Sequence, residues 1–290
     1  MSAFRHPVVA VSHGPGPMWL LKSGDQSRAS EPAKNVAGIW KQIYAKGAPK
    51  PKRILVISAH WESYRQGYEI SRASTPDMIY DYGGFPDESY EFNYKAKGDA
   101  AFAEELYDLL AQHKIRSTLV ERGYDHGVFV PMMLIRPQAD IPIVTLSLNN
   151  KLNTKAHWDL GKALAPLREQ GTLIICSGQA THGRGGRTPY VVPYALTFQE
   201  WLDKVFTPES GLSYSQRYDE LIQWERAPAA RDAHPRTEHF IPFIVAAAAG
   251  MDAAAPAAYK LFGGWGWDHL SYASYAWGVT GETVSPTTEL

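Results

Sequence analysis

Ile54-Leu55-Val56-Ile57-Ser58-Ala59-His60 is an apolar run that stops at two small residues and then a histidine. Two other runs end in a similar way: Val8-Val9-Ala10-Val11-Ser12-His13, and Leu173-Ile174-Ile175-Cys176-Ser177-Gly178 leading to Thr181-His182. Short β-branched runs bounded by Gly, Ser or Pro read as buried strands. Residues 141–148 make a further one. Between them lie helical patterns: 97–112 with Phe102, Leu106, Leu109 and Leu110 on one face, 154–169 capped at Thr154, 213–231, and 240–249 stopping at Gly250. Strands alternating with helices predict a largely parallel α/β sheet. The aromatic stretch 259–278 reads as strand material that closes the sheet, with at least one antiparallel addition. The expectation is a single α/β domain, 1–290, with a central mostly parallel, mixed sheet flanked by helices. Ligands gather outside the carboxyl ends of such strands. Three histidines there suggest a shared site, and neutral imidazole is the commonest metal-donating side chain.

The rest of the chain narrows the classes. Its 290 residues can bury a large core, and 44% hydrophobic with 20% charged residues is ordinary globular composition. A net charge of −1 gives no basic field for nucleic acid or anionic lipid. No apolar stretch is long enough to span a bilayer. The opening Met1-Ser2-Ala3-Phe4-Arg5-His6-Pro7 lacks a signal-peptide layout, because a strand-like run follows at once. Cys176 is the single cysteine, so no intrachain disulfide forms and a reducing cytoplasm is expected. Within its apolar run it reads as a small buried hydrophobe. Residues 72–93, rich in Tyr, Gly and Pro, read as a long ordered loop over the site.

Of the ten histidines, His6, His113 and His157 lack suggestive context, and His269 in the aromatic tail reads as packing. The other six, His13, His60, His126, His182, His234 and His239, sit among small or turn residues. For any one of them a hydrogen-bonded structural role weighs as much as a functional one, but six together do not. No His-Glu-x-x-His or cysteine pair is present, so a site must be assembled from distant segments.

These segments resemble the class III extradiol ring-cleavage dioxygenases, in particular the DOPA 4,5-dioxygenase branch with its LigB-type catalytic subunit. The carrying residues are Ser12-His13-Gly14, Ser58-Ala59-His60-Trp61-Glu62, Tyr80-Asp81-Tyr82-Gly83-Gly84-Phe85-Pro86, Asp125-His126-Gly127 with Val130-Pro131, Gly178 with Thr181-His182, and His234-Pro235 with Glu238-His239. They occur in order from about residue 8 to 250. Gly183-Arg184-Gly185-Gly186-Arg187 departs from the family's usual continuation after the third histidine. The resemblance implies a non-haem Fe(II) enzyme that uses O2 to open a catechol, such as DOPA or caffeate, to a semialdehyde. It implies His13, His60 and His239 as metal ligands and His182 as general acid/base. It also places His126, and His234 from the turn before His239, against the substrate or oxygen. Some relatives are described with zinc, so zinc is a possible occupant.

The chemistry suits these groups. Open positions on a metal facial triad accept both catechol oxygens and O2, and a histidine titrates near working pH. Trp61, Tyr124, Phe129 and Tyr82 could wall the ring, and Arg184 and Arg187 could clamp a substrate carboxylate. Glu62 and Asp125 are candidate acceptors behind the histidines, with Glu238 a reserve carboxylate ligand. Zinc-dependent hydrolysis, and a Memo-like peptide-binding role on the same fold, are the rival readings. A homo-oligomer is compatible with the aromatic tail.

Overall fold

The computed structural model describes residues 4–279, so the first three residues of the opening, Met1 to Ala3, lie outside it. An eight-stranded mixed sheet forms the centre. In chain order its strands are β1 (Val8–Ser12), β2 (Arg53–Glu62), β3 (Tyr68–Ser71), β4 (Ser117–Val120), β5 (Ile143–Leu148), β6 (Thr172–Gly178), β7 (Tyr259–Phe262) and, after the two-residue strands β8 (Trp265–Gly266) and β9 (Leu270–Ser271), β10 (Ser274–Trp277). The spatial order is β4-β3-β5-β2-β6-β1-β10-β7. The core pairs β1/β6, β6/β2 and β2/β5 are parallel, whereas β10 joins β1 antiparallel and β7 joins β10 antiparallel. The aromatic tail thus closes one side of the sheet as expected.

Each central strand is buried on both faces, which is why it reads as a continuous apolar run. Alternate residues feed two different layers. Val8, Ala10, Leu55, Ile57, Ile174 and Cys176 pack with the helices α2 (Ala100–Gln112), α4 (Thr154–Leu164), α5 (Pro193–Phe206) and α8 (Ile241–Gly250). Val9, Val11, Ile54, Val56, Leu173 and Ile175 pack against α1 (Glu31–Ile43) and α3 (His126–Ile135). Cys176 is buried in the first layer.

Several helix ends fall beside the expected positions, for local reasons. Asn153, not Thr154, caps α4, its side chain accepting from the Ala156 amide at 2.9 Å. The pattern over 213–231 divides into α6 (Tyr214–Ile222), opened by a Ser213–Gln216 capping box, and α7 (Ala230–Ala233). Pro228 between them cannot continue a helix. Gly250 is the last residue of α8, and a Cβ there would meet the Trp277 indole at 2.5 Å. Its smallness serves a close helix–strand contact. Among the described residues no helix is long and apolar enough to cross a membrane.

Candidate metal centre

The parallel strands point their carboxyl ends to one side, and the histidines collect there. His13 follows β1, His60 lies near the end of β2, His182 follows β6, His126 opens α3 and His239 directly precedes Phe240 at the start of α8. Close backbone approach makes this possible. A Cβ at Gly178 would meet the His239 carbonyl at 2.2 Å, so the end of β6 can pass the His239 segment only as glycine. The Gln179 amide then donates to that same carbonyl at 3.0 Å, and the His13 amide donates to Gly178.

Nε2 of His60 lies 3.1 Å from Nε2 of His13 and 3.3 Å from Nε2 of His239. His126 joins them: its ring centroid is 3.8 Å from that of His60, and His13, His60 and His126 can offer ligand atoms all within 4.8 Å of one another. Two triplets, His13-His60-His239 and His13-His60-His126, therefore share His13 and His60.

What lies behind each ring decides whether these nitrogens can bind an ion. The Ser177 hydroxyl donates to the Gly127 carbonyl, so it accepts from Nδ1 of His13 at 3.0 Å. Nδ1 of His239 lies 2.9 Å from Glu238 Oε1, and Nδ1 of His126 lies 2.8 Å from Asp81 Oδ1. Asp81 Oδ2 stands 3.4 Å from Nδ1 of His60. With the Nδ1 protons of His13, His239 and His126 on these acceptors, the Nε2 atoms of the cluster would be left to offer lone pairs, an arrangement that a cation relieves. Burial, followed by the neighbouring rings, holds His13 and His239 well below the ordinary imidazole range. Burial and then His126 bring His60 to about 3, against the opposing pull of Asp81. Neutral rings with inward lone pairs are what metal ligation requires.

His182 is placed differently. Its amide donates to the Ala233 carbonyl at 2.9 Å, and its ring stacks on His239 with centroids 3.9 Å apart and planes 6° from parallel. The residue is exposed. It covers one member of the cluster and opens to solvent.

Other expected site residues are not brought to this point. His234 is buried among Phe198, Trp224 and Phe240, donating Nε2–H to the Ala180 carbonyl at 3.0 Å. Burial there brings it to about 3. It is a core histidine, a correction to its expected place against substrate. Tyr124 is likewise corrected: its hydroxyl reaches the carbonyls of Ala96, Lys97 and Ile143 inside the core. Trp61 neighbours His60 on β2 and, by strand alternation, faces away from it. It donates to Glu69 at 3.2 Å under the Arg122 guanidinium. Phe129 is fully buried on α3 behind Tyr80 and Tyr82. The aromatic beside the histidines is Tyr82, 5.7 Å from His126, with Phe85 5.4 Å beyond it. Arg184 is exposed, its carbonyl accepting from the Tyr194 hydroxyl at 2.8 Å, and Arg187 lies over Trp267.

The acceptors differ from those expected as well. Glu62 pairs with Arg236 at 2.6 Å, and Asp125 accepts from Ser58 at 2.7 Å and pairs with Arg122. Glu238 backs His239 through its Nδ1 side. Sequence reasoning assigned no role to Asp81 or Ser177, although both stand in the motifs given above. His269, expected to pack, has its Nδ1 2.8 Å from Asp268, whose other oxygen accepts from the Gly186 and Thr188 amides and the Thr188 hydroxyl. The tail thereby pins the loop that carries Arg184 and Arg187.

This fold and histidine cluster define a class. Residues 7–276 match the family described as the catalytic LigB subunit of aromatic ring-opening dioxygenase, and the chain belongs to that family. It is 40% identical to 4,5-DOPA dioxygenase extradiol of Beta vulgaris, over 91% of this chain and 94% of the relative. It is 29% identical to the Escherichia coli K12 protein of the same name, over 84% and 85%. A solved structure of an uncharacterized Escherichia coli K12 protein superposes with a TM-score of 0.70 at 26% identity, covering 94% of this chain and all of that one.

Proposed function

We propose that the chain is a non-haem Fe(II) extradiol dioxygenase that opens a catechol acid, of the DOPA or caffeate type, to a semialdehyde. One observation carries this reading: imidazoles from distant segments whose Nε2 atoms converge, in a chain similar to proteins named for extradiol DOPA cleavage. His13, His60 and His239 would hold the metal. Iron, when bound, supplies open positions for the catechol oxygens and O2 together with the one-electron chemistry that triplet O2 needs.

The residues of the chain do the rest. Three neutral ligands leave the ion's charge uncompensated, which favours a deprotonated catechol. His182, exposed and stacked over His239, takes the catechol proton and later returns it to the opening ring. His126 donates its Nδ1–H to Asp81, so its Nε2 is free to accept a hydrogen bond from a substrate hydroxyl. Tyr82 and Phe85 offer aromatic faces to the ring. Arg184 would receive the substrate carboxylate.

The test is anaerobic reconstitution with Fe(II), then a catechol acid and air. Oxygen uptake with a yellow ring-opened product is expected, and the zinc-loaded protein should give neither, because zinc has no redox chemistry. Equal turnover with zinc, or no uptake across a panel of catechols, overturns the reading in favour of hydrolysis or simple binding.

A further inference from the structure

The loop over the site carries a carboxylate set between two of its rings. Asp81 Oδ1 accepts from both the backbone amide of His126 at 3.0 Å and its ring Nδ1 at 2.8 Å. Oδ2 stands 3.4 Å from Nδ1 of His60. Asp81 stays partly open to solvent, with its side chain 22% exposed. Its position is set from both sides. Upstream, Met78 forms a parallel bridge with Tyr124, the Ile79 amide donates to the Tyr124 carbonyl at 2.7 Å, and the Tyr124 amide donates to Asp77 at 2.8 Å. That register carries Asp81 alongside His126. The close approach needs Gly123, where a Cβ would meet the Asp77 carbonyl at 2.2 Å. Downstream, the Tyr80 hydroxyl donates to Phe92 at 2.8 Å and the Tyr82 hydroxyl to Ser89 at 2.6 Å, bracing the loop on itself.

We propose that Asp81 is a positioning residue that sets the tautomers of His60 and His126 together, and so makes metal retention depend on the 72–93 loop. The inference rests on the metal-site reading above. An imidazole that offers Nε2 to a metal must keep its proton on Nδ1, and an anionic acceptor on that side holds it there. One carboxylate reaches both rings: Oδ1 accepts from His126, and the negative charge of Oδ2 stands at ion-pair distance from Nδ1 of His60, favouring the proton there. His13 and His239 use other partners, Ser177 and Glu238, so the loop governs His60 and His126 alone.

Asp81→Asn separates the two roles. Two donors of His126 converge on Oδ1, so the amide oxygen stays there and the NH2 turns toward Nδ1 of His60. Donor then faces donor, and His60 moves its proton to Nε2, where it blocks ligation. Asp81→Ala removes the acceptor from both rings, and Asp81→Glu restores the charge at a displaced position. The full-length protein is titrated with Zn(II) as a diamagnetic probe against a competing chelator. Ring tautomers are read by long-range 1H–15N correlation with and without metal. For Asp81→Asn we expect zinc affinity weaker by about 10- to 100-fold, with His60 switched to the Nε2–H form in the metal-free protein and His126 unchanged. Asp81→Ala should alter both rings, and Asp81→Glu should recover part of the affinity.

Wild-type protein that takes up no zinc overturns the metal site itself. Wild type that binds while Asp81→Asn binds equally well overturns the role of Asp81 and leaves the site standing. Weaker binding with unchanged tautomers reduces Asp81 to a source of negative charge and also overturns the proposal. So does a metal-free Asp81→Asn protein that has lost the near-ultraviolet circular dichroism of the native fold, because Asp81 would then hold the fold rather than the tautomers.

Discussion

His182 and His239 lie ring against ring, yet their surroundings are opposite. His239 is buried, and its Nδ1 is committed to Glu238, which pairs with Arg236, which in turn pairs with Glu62 at the end of β2. His182 is exposed, on a segment that leaves the sheet, and its ring has no hydrogen bond to a side chain among the described residues. A metal ligand has to keep one protonation state, and a buried acceptor behind the ring enforces it. A group that gives and takes protons has to change state, and a ring open to water with uncommitted nitrogens can. Under the proposed function, the same residue type serves both purposes because its environment differs.

The largest effect should come from breaking the committed side. His60 belongs to both triplets, with its Nε2 close to those of His13 and His239. In His60→Ala the iron content after reconstitution and desalting should fall to background, and turnover should vanish with it, read by elemental analysis beside an oxygen electrode. Full iron content would show that the rings do not converge on an ion in solution.

The next effect comes from the uncommitted side. His182→Ala should keep its iron and lose about 10²- to 10⁴-fold in kcat, the usual contribution of a positioned acid or base. A variant that instead empties the site would make His182 a ligand and erase the contrast between the stacked rings. Because it caps rather than backs His239, its removal should leave the melting temperature of the metal-free protein nearly unchanged.

How much of this was legible in the sequence follows the same division. Buried parallel strands declare themselves as apolar runs, and the residues just after them fall at the carboxyl ends whatever the side-chain detail. That is why His13 and His60 could be placed from sequence, with His182 beside them. The histidine at 234 could not be sorted from the one at 239 in this way. Both lie in the same short turn-rich segment, and what separates them is the packing of Phe198, Trp224 and Phe240 around His234, residues brought together by α5, α8 and the turn after α6. The acceptors were hidden for a related reason. Asp81 meets His126 across a loop, and Ser177 meets His13 across two strands, contacts that no spacing encodes. Glu62 and Asp125 were the nearer acids in sequence, but arginines and Ser58 claim them.

The smallest effect lies farthest out on the loop. Arg184 is exposed and, among the described residues, bonded only through its carbonyl to Tyr194, while Asp268 holds the following residues through the Gly186 and Thr188 amides. The backbone of this loop is therefore anchored while the Arg184 side chain stays free to meet a substrate. An exposed guanidinium binds a carboxylate equally in ground and transition states, so Arg184→Ala should raise KM with little change in kcat. At a solvated site such a pair contributes on the order of 1 kcal/mol, about a fivefold change in KM. The rise should appear with a catechol acid and disappear with catechol itself, which has no carboxylate to lose. Equal KM changes for both substrates would place Arg184 in the general shape of the loop, and a fall in kcat would move it to the uncommitted side of the site, next to the protons.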